Sequence, residues 1–126
     1  MAVAVREALT EVDRVADAVV ETYRRCHEGA HQAQLVEFVD VKNVGAIRTI
    51  ACPDRRTVEI VLDAEVDAGS LIPGIWRLGQ GGHRVVVLVA LGRIGAAHPE
   101  LRGVPCRLQA YWTEGDRVCF GGIEIP

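Results

Sequence analysis

The chain has 126 residues, of which 49% are hydrophobic and 25% are charged, and its formal net charge is -3. This length suits one folded domain, and this composition is typical of a globular protein rather than a disordered chain. The negative charge, with aromatic residues at only 5%, argues against nucleic acid as a partner, because nucleic-acid-binding proteins normally carry a basic face.

The N-terminal segment and the cysteines indicate the cellular compartment. Charges begin at Arg6 and Glu7, and the segment lacks the apolar stretch of a secretory signal peptide. The longest apolar run, 85–91, is far shorter than the roughly 20 residues that cross a bilayer. We therefore expect a cytoplasmic protein, or part of a particle assembled in the cytoplasm, with no membrane partner. In that reducing compartment the four cysteines are expected to be free thiols: Cys26, Cys52, Cys106 and Cys119.

An amphipathic helix is predicted over residues 5–28. Its apolar residues recur every three or four positions, which places them on one helical face. Arg24 and Arg25 near its end, followed by Gly29, are typical of a helix C-terminus. The apolar face consists of Val5, Leu9, Val12, Ala16, Val19, Val20, Tyr23 and Cys26.

Three strands are predicted to follow the helix, over residues 35–41, 46–52 and 57–64. The turns between them are short, so the strands are expected to form an antiparallel meander. In the third strand, alternation places apolar residues such as Ile60 on one face and Glu59 on the other. We interpret Glu59 and Asp63 as the solvated edge and exit of that strand.

Residues 65–82 are predicted to form a long loop, because glycine and proline interrupt this segment repeatedly. Long loops in compact domains often serve a function. Two interpretations remain open: a lid over one end of the core, or the cover of a pocket lined by Trp76, His83 and Arg84. The apolar residues of the loop are Leu71, Ile72, Ile75, Trp76 and Leu78.

The last part of the chain predicts three further strands, over residues 84–91, 104–113 and 117–125. The first is apolar at nearly every position, which indicates a central strand covered on both faces. The sequence therefore predicts a single α+β domain, 1–126, with one N-terminal amphipathic helix on a mainly antiparallel sheet or partly closed barrel of about six strands. One helix covers only one face, so the second layer would come from barrel closure, the 65–82 loop or another subunit.

One short motif suggests metal chemistry. His27-Glu28-Gly29-Ala30-His31 matches the pattern H-E-x-x-H and resembles the motif of zinc-dependent hydrolases. On a helix, His27 and His31 would bind Zn²⁺, and Glu28 would act as the general base on a metal-bound water. The alternative is that Arg24, Arg25 and His27 simply finish a helix.

Three functional hypotheses follow. The first is a non-enzymatic interaction or structural protein without cofactor or catalytic residues, which forms a homo-oligomer or joins an assembly such as a virion tail or connector. The second is a zinc-dependent hydrolase that uses the 27–31 segment, and the third is a small-molecule-binding domain with a pocket under the 65–82 loop. The residues predicted for an interface or pocket are Leu71, Ile72, Ile75, Trp76, Leu78 and His83.

Overall fold

The structure is a computed structural model that describes residues 11–26, 34–35, 47–52 and 56–126. Within these ranges the α-helices are α1 (Glu11–Cys26), α2 (Ile72–Gln80) and α3 (Ile94–Glu100). The strands are β1 (Gln34–Leu35), β2 (Ile47–Cys52), β3 (Thr57–Leu62), β4 (Arg84–Ala90), β5 (Arg107–Glu114) and β6 (Arg117–Glu124). Short 3₁₀ helices, Ala68–Leu71 and Leu91–Arg93, directly precede α2 and α3.

The strands form one sheet in the order β1-β2-β3-β4-β5-β6, of which β1 contributes only two residues. Strand β3 is antiparallel to β2, whereas β4 runs parallel to both β3 and β5. Strand β6 returns antiparallel to β5 through a tight turn in which Gly115 adopts φ +60°. The α+β class is thus confirmed, but the sheet is mixed and open rather than mainly antiparallel or partly closed into a barrel.

Helix α1 packs on one face of the sheet. Val12, Val15, Ala16 and Val19 recur at the helical period and are at most 3% exposed. Full burial of each valine side chain contributes roughly 1.5 to 3 kcal/mol, so this apolar face is the main reason that the helix docks. It contacts residues of the four central strands, namely Ile50, Val61, Val86, Leu88 and Tyr111.

The opposite face of the sheet is covered by α2 and α3. Each helix lies in the crossover between two neighbouring parallel strands. Such crossovers are right-handed, and because both proceed in the same direction across the sheet, they place both helices on the same side. Leu71, Ile75 and Leu78 pack there with Ala97 and Leu101. The two faces of β4 are therefore both buried by this chain itself. The apolar strand consequently does not require a second subunit as cover, although the homo-oligomer stays a prediction.

The predicted loop over 65–82 was wrong for most of its length, because residues 68–80 are helical. Pro73 stands in the first turn, where a missing N–H is tolerated, and Gly74 is buried. The helix ends where Gly82, at φ +87°, lets the His83 N–H donate to the Leu78 carbonyl at 3.0 Å. Glycine and proline here mark the ends and packing of a helix rather than a loop.

Helix α3 was not predicted, because only the N-terminal helix was expected, whereas the bounds of the remaining elements lie near their predictions. Helix α1 lies inside the predicted range 5–28, and the strands after residue 46 begin and end close to the predicted positions. Most of the predicted strand 35–41 lies outside the described residues, so only β1 represents it. No helix in the described part of the chain combines the length and the apolar character needed to cross a membrane.

Candidate functional site

A cleft of about 900 Å³ opens between the C-terminal half of α1 and the sheet. It lies where the parallel strands β3, β4 and β5 begin, so the first residues of these strands meet at one edge. Its lining consists of Val19, Thr22, Tyr23, Thr57, Glu59, His83, Arg84, Val85, Val86, Pro105, Cys106, Arg107, Gln109, Phe120 and Ile123.

The floor of the cleft is set by strand register. Thr57 is opposite Arg84, and Val86 has Glu59 on one side and Arg107 on the other. Because side chains alternate along a strand, all five residues face α1 rather than α2 and α3. Two arginines and one carboxyl group from three strands therefore share one face.

Apolar side chains form the walls. Val19 and Tyr23 stand one helical turn apart on α1, on the face that meets the sheet. Phe120 and Ile123 belong to β6, where Tyr111 pairs with Phe120 and Gln109 with Ile123. A ligand in the cleft would contact these apolar walls while its polar groups meet the floor.

Glu59 is the polar centre of the cleft. The residue is only 9% exposed, and burial raises the pKa of its carboxyl group above the usual value. A hydrogen bond from Tyr23 acts in the opposite direction and favours the ionised form. The sequence-based interpretation of Glu59 as a solvated edge residue was therefore wrong.

Arg84 and Arg107 supply the positive charge. Both are exposed at the floor of the cleft, and neither has an ion pair with any carboxylate in the described ranges. Other arginines of the same ranges do have carboxylate partners, namely Arg25, Arg48, Arg93 and Arg117. Among the described residues, no carboxylate therefore competes with an anionic ligand for these two guanidinium groups.

Gln109 and Cys106 complete the polar lining. The Gln109 side-chain amide donates to the Gly121 carbonyl at 2.8 Å, which holds the side chain against β6. Cys106 is 4% exposed, and burial raises the pKa of its thiol to about 11, with Arg107 opposing this shift. A thiol of this pKa is a poor nucleophile near neutral pH, so Cys106 contributes packing rather than covalent chemistry.

The residues predicted for an interface or pocket are divided between different places. Leu71, Ile75 and Leu78 are buried in the core under α2, and Ile72 is partly buried against them. Trp76 is 48% exposed on α2 and does not line the cleft. His83 does line it, as does Arg84, although the cleft lies on the α1 face rather than under residues 65–82.

The residues of the zinc hypothesis lie outside the part of the chain that the structure describes, so their position relative to the cleft is not defined. His27, Glu28 and His31 lie outside the described residues, directly after the end of α1. Within residues 11–26, 34–35, 47–52 and 56–126, no group of three or more His, Cys, Asp or Glu side chains is arranged to hold a metal ion. Zinc therefore stays a prediction from the sequence alone.

A signal for Glu59 was present in the sequence. It shares a strand face with Val61, and the apolar face of α1 needs an apolar surface to cover. If the strand face with Glu59 and Val61 had been predicted to pack against α1, Glu59 would have been expected beneath the helix. The placement of Arg84 and Arg107 on one face as diagonal neighbours had no comparable signal, because it depends on two parallel crossovers.

The fold and the cleft together define an α+β domain with a mixed open sheet and a ligand-sized site at the start of its parallel strands. Comparison with protein-family models, curated proteins and solved structures finds no match. The chemistry of the cleft is therefore the basis for assigning a function.

Proposed function

We propose that this protein binds a small organic molecule in the cleft between α1 and strands β3 to β6. The observation that carries the proposal is a cleft of about 900 Å³ that encloses a buried carboxyl group, Glu59. Ligand sites commonly have volumes of roughly 300 to 1,000 Å³, with apolar walls and a few convergent polar groups. The lining of this cleft has that composition.

The balance of polar and apolar groups supports binding rather than a purely structural void. Val19, Phe120 and Ile123 offer surface for an apolar ligand body. Glu59, with its raised pKa, retains a proton more readily than an exposed carboxyl group and can donate a hydrogen bond to a ligand acceptor. Burial of a polar group is costly unless it has partners; Tyr23 is one partner of Glu59, and a bound ligand would supply another.

Binding can be tested with the neutral probes indole and 1-octanol by NMR chemical-shift perturbation. Amide signals around the cleft, including Val86 and Phe120, are expected to shift upon titration. Thr22 is exposed on α1 and lines the cleft, so Thr22→Trp should fill it and abolish the shifts. Glu21→Trp places the same bulk on an exposed neighbouring position outside the cleft and should leave binding unchanged.

Two outcomes would contradict the proposal. One is that neither probe perturbs the cleft of the unmodified protein. The other is that Thr22→Trp and Glu21→Trp bind the probes equally, which would locate binding elsewhere. Circular dichroism of both variants confirms that each remains folded before the comparison is made.

A homo-oligomer is the second candidate, and the exposed apolar residues of the last strand favour it. Strand β6 lies at the edge of the described sheet, and its Ile123 is 60% exposed, with Ile125 beyond it at 73%. Exposed apolar edges commonly pair with another chain. Native mass spectrometry that shows only monomers would contradict this candidate, and a particular assembly such as a virion tail or connector stays a prediction.

A further inference from the structure

We propose that the ligand of this cleft is a small amphiphile whose anionic head group is held by Arg84 and Arg107. This inference rests on the proposed ligand-binding function and names the class of molecule bound. It does not require a reaction, a metal ion or a second subunit.

The two arginines are positioned to act together. Val86 pairs with Arg107 across β4 and β5, and Arg84 precedes Val86 by two residues on the same face of its strand. The two residues are therefore diagonal neighbours, a spacing that long side chains can bridge. Guanidinium groups bind carboxylate and phosphate oxygens through paired, charge-assisted hydrogen bonds.

The charges around the cleft favour an anion locally, although the whole chain has a net charge of -3. Glu59 is the only carboxylate among the described residues that line the cleft. Its burial disfavours ionisation, so it offsets the arginines less than an exposed carboxylate would. Tyr23, His83 and Cys106 also line the cleft, and none of them carries a carboxyl group.

Arginines without an ion pair are common on solvated surfaces, and the exposed Arg102 has none with the carboxylates of the described ranges. What separates Arg84 and Arg107 from it is their place on the floor of one cleft, beside apolar walls. Val19 and Phe120 would shield the apolar body of the ligand from water. The combination selects molecules that have both an anionic end and an apolar end.

The test compares three probes of equal chain length by isothermal titration calorimetry: octanoate, octyl phosphate and 1-octanol. At least one of the two anions should bind more tightly than 1-octanol by a factor of about ten or more, because charge-assisted hydrogen bonds are stronger than those of a neutral hydroxyl. Arg84→Gln and Arg107→Gln should each weaken anion binding about ten-fold and weaken 1-octanol binding much less. Arg102→Gln is the matched control and should alter neither.

The outcomes separate this inference from the proposed function. If 1-octanol binds as tightly as both anions and the arginine variants change nothing, the cleft binds ligands but anion recognition is overturned. If none of the probes binds, the proposed function itself fails. Preference for octyl phosphate over octanoate, or the reverse, identifies the head group within the proposed class.

Discussion

The Tyr23 hydroxyl donates a hydrogen bond to the Glu59 carboxylate and so joins α1 to β3 across the cleft. Tyr23 stands near the C-terminal end of the helix, and Glu59 is the third residue of its strand. The polar centre of the cleft therefore depends on the docking of α1. Any change that displaces the helix also changes the environment of the carboxyl group.

The stability of the protein should fall as pH rises from the ordinary glutamate value, because burial raises the pKa of Glu59 in the folded state. Above the unfolded-state pKa of this group, the folded state binds more protons than the unfolded state, so higher pH favours unfolding until the folded-state pKa is passed. Glu59→Gln should remove this decline. Urea unfolding over a series of pH values measures it.

Two further variants make that test specific. Tyr23→Phe deletes the hydrogen bond that favours the ionised carboxylate, so the decline of stability should extend to higher pH. Glu65→Gln removes an exposed carboxylate and should leave the profile unchanged. An unchanged profile in Glu59→Gln would show that this residue does not govern the pH dependence.

The ion pair between Arg48 and Asp13 should stabilise the docking of α1 on β2. Its atoms Nε and Oδ1 are 2.7 Å apart, and the side chains are only 18% and 23% exposed. A double-mutant cycle with Arg48→Gln and Asp13→Asn should give a coupling energy of about 1 to 2 kcal/mol.

The pair formed by Arg25 and Glu21 is the matched control for that cycle. It joins two residues of α1 at 3.1 Å, but its side chains are 76% and 53% exposed. Solvent screening should limit its coupling energy to roughly 0.5 kcal/mol or less. Equal coupling energies in the two cycles would contradict a special role for the pair that connects helix and sheet.

Tyr111→Phe should lower the free energy of unfolding by about 1 to 2 kcal/mol. The Tyr111 hydroxyl donates to the Leu62 carbonyl at 2.5 Å, and the residue is 1% exposed. Loss of the hydroxyl group removes this hydrogen bond at a site that water does not reach. Thr22→Val deletes an exposed hydroxyl of similar kind and should change stability by less than about 0.5 kcal/mol in the same urea titration.

Cys106 should react with iodoacetamide roughly ten-fold or more slowly than Cys119 at about pH 8. Burial raises the pKa of the Cys106 thiol to about 11, whereas Cys119 is only partly buried. Peptide mapping by mass spectrometry measures both rates in one sample. The difference should vanish in urea, and equal rates in the folded protein would contradict the burial of Cys106.

The sequence pattern predicted those helices and strands whose buried face can be identified from the spacing of their own apolar residues. The four- and three-residue spacing of Val12, Ala16 and Val19 predicted α1, and the unbroken apolar run at 85–91 predicted the central strand β4. Helix α2 was missed although Leu71, Ile75 and Leu78 also have helical spacing. Glycine and proline in that segment outweighed the spacing, because their preference for loops is the stronger local signal.

The sequence by itself determined the α+β class, the N-terminal helix and the strands whose alternation or apolar length leaves few alternatives. Only the tertiary structure decided that two crossovers run parallel, that α2 and α3 cover one face, and that Glu59, Arg84 and Arg107 meet in one cleft. The physical reason is the range of the interactions. Periodicity reports which residues of one segment share a face, whereas the composition of the cleft depends on pairing between strands that lie far apart in the chain.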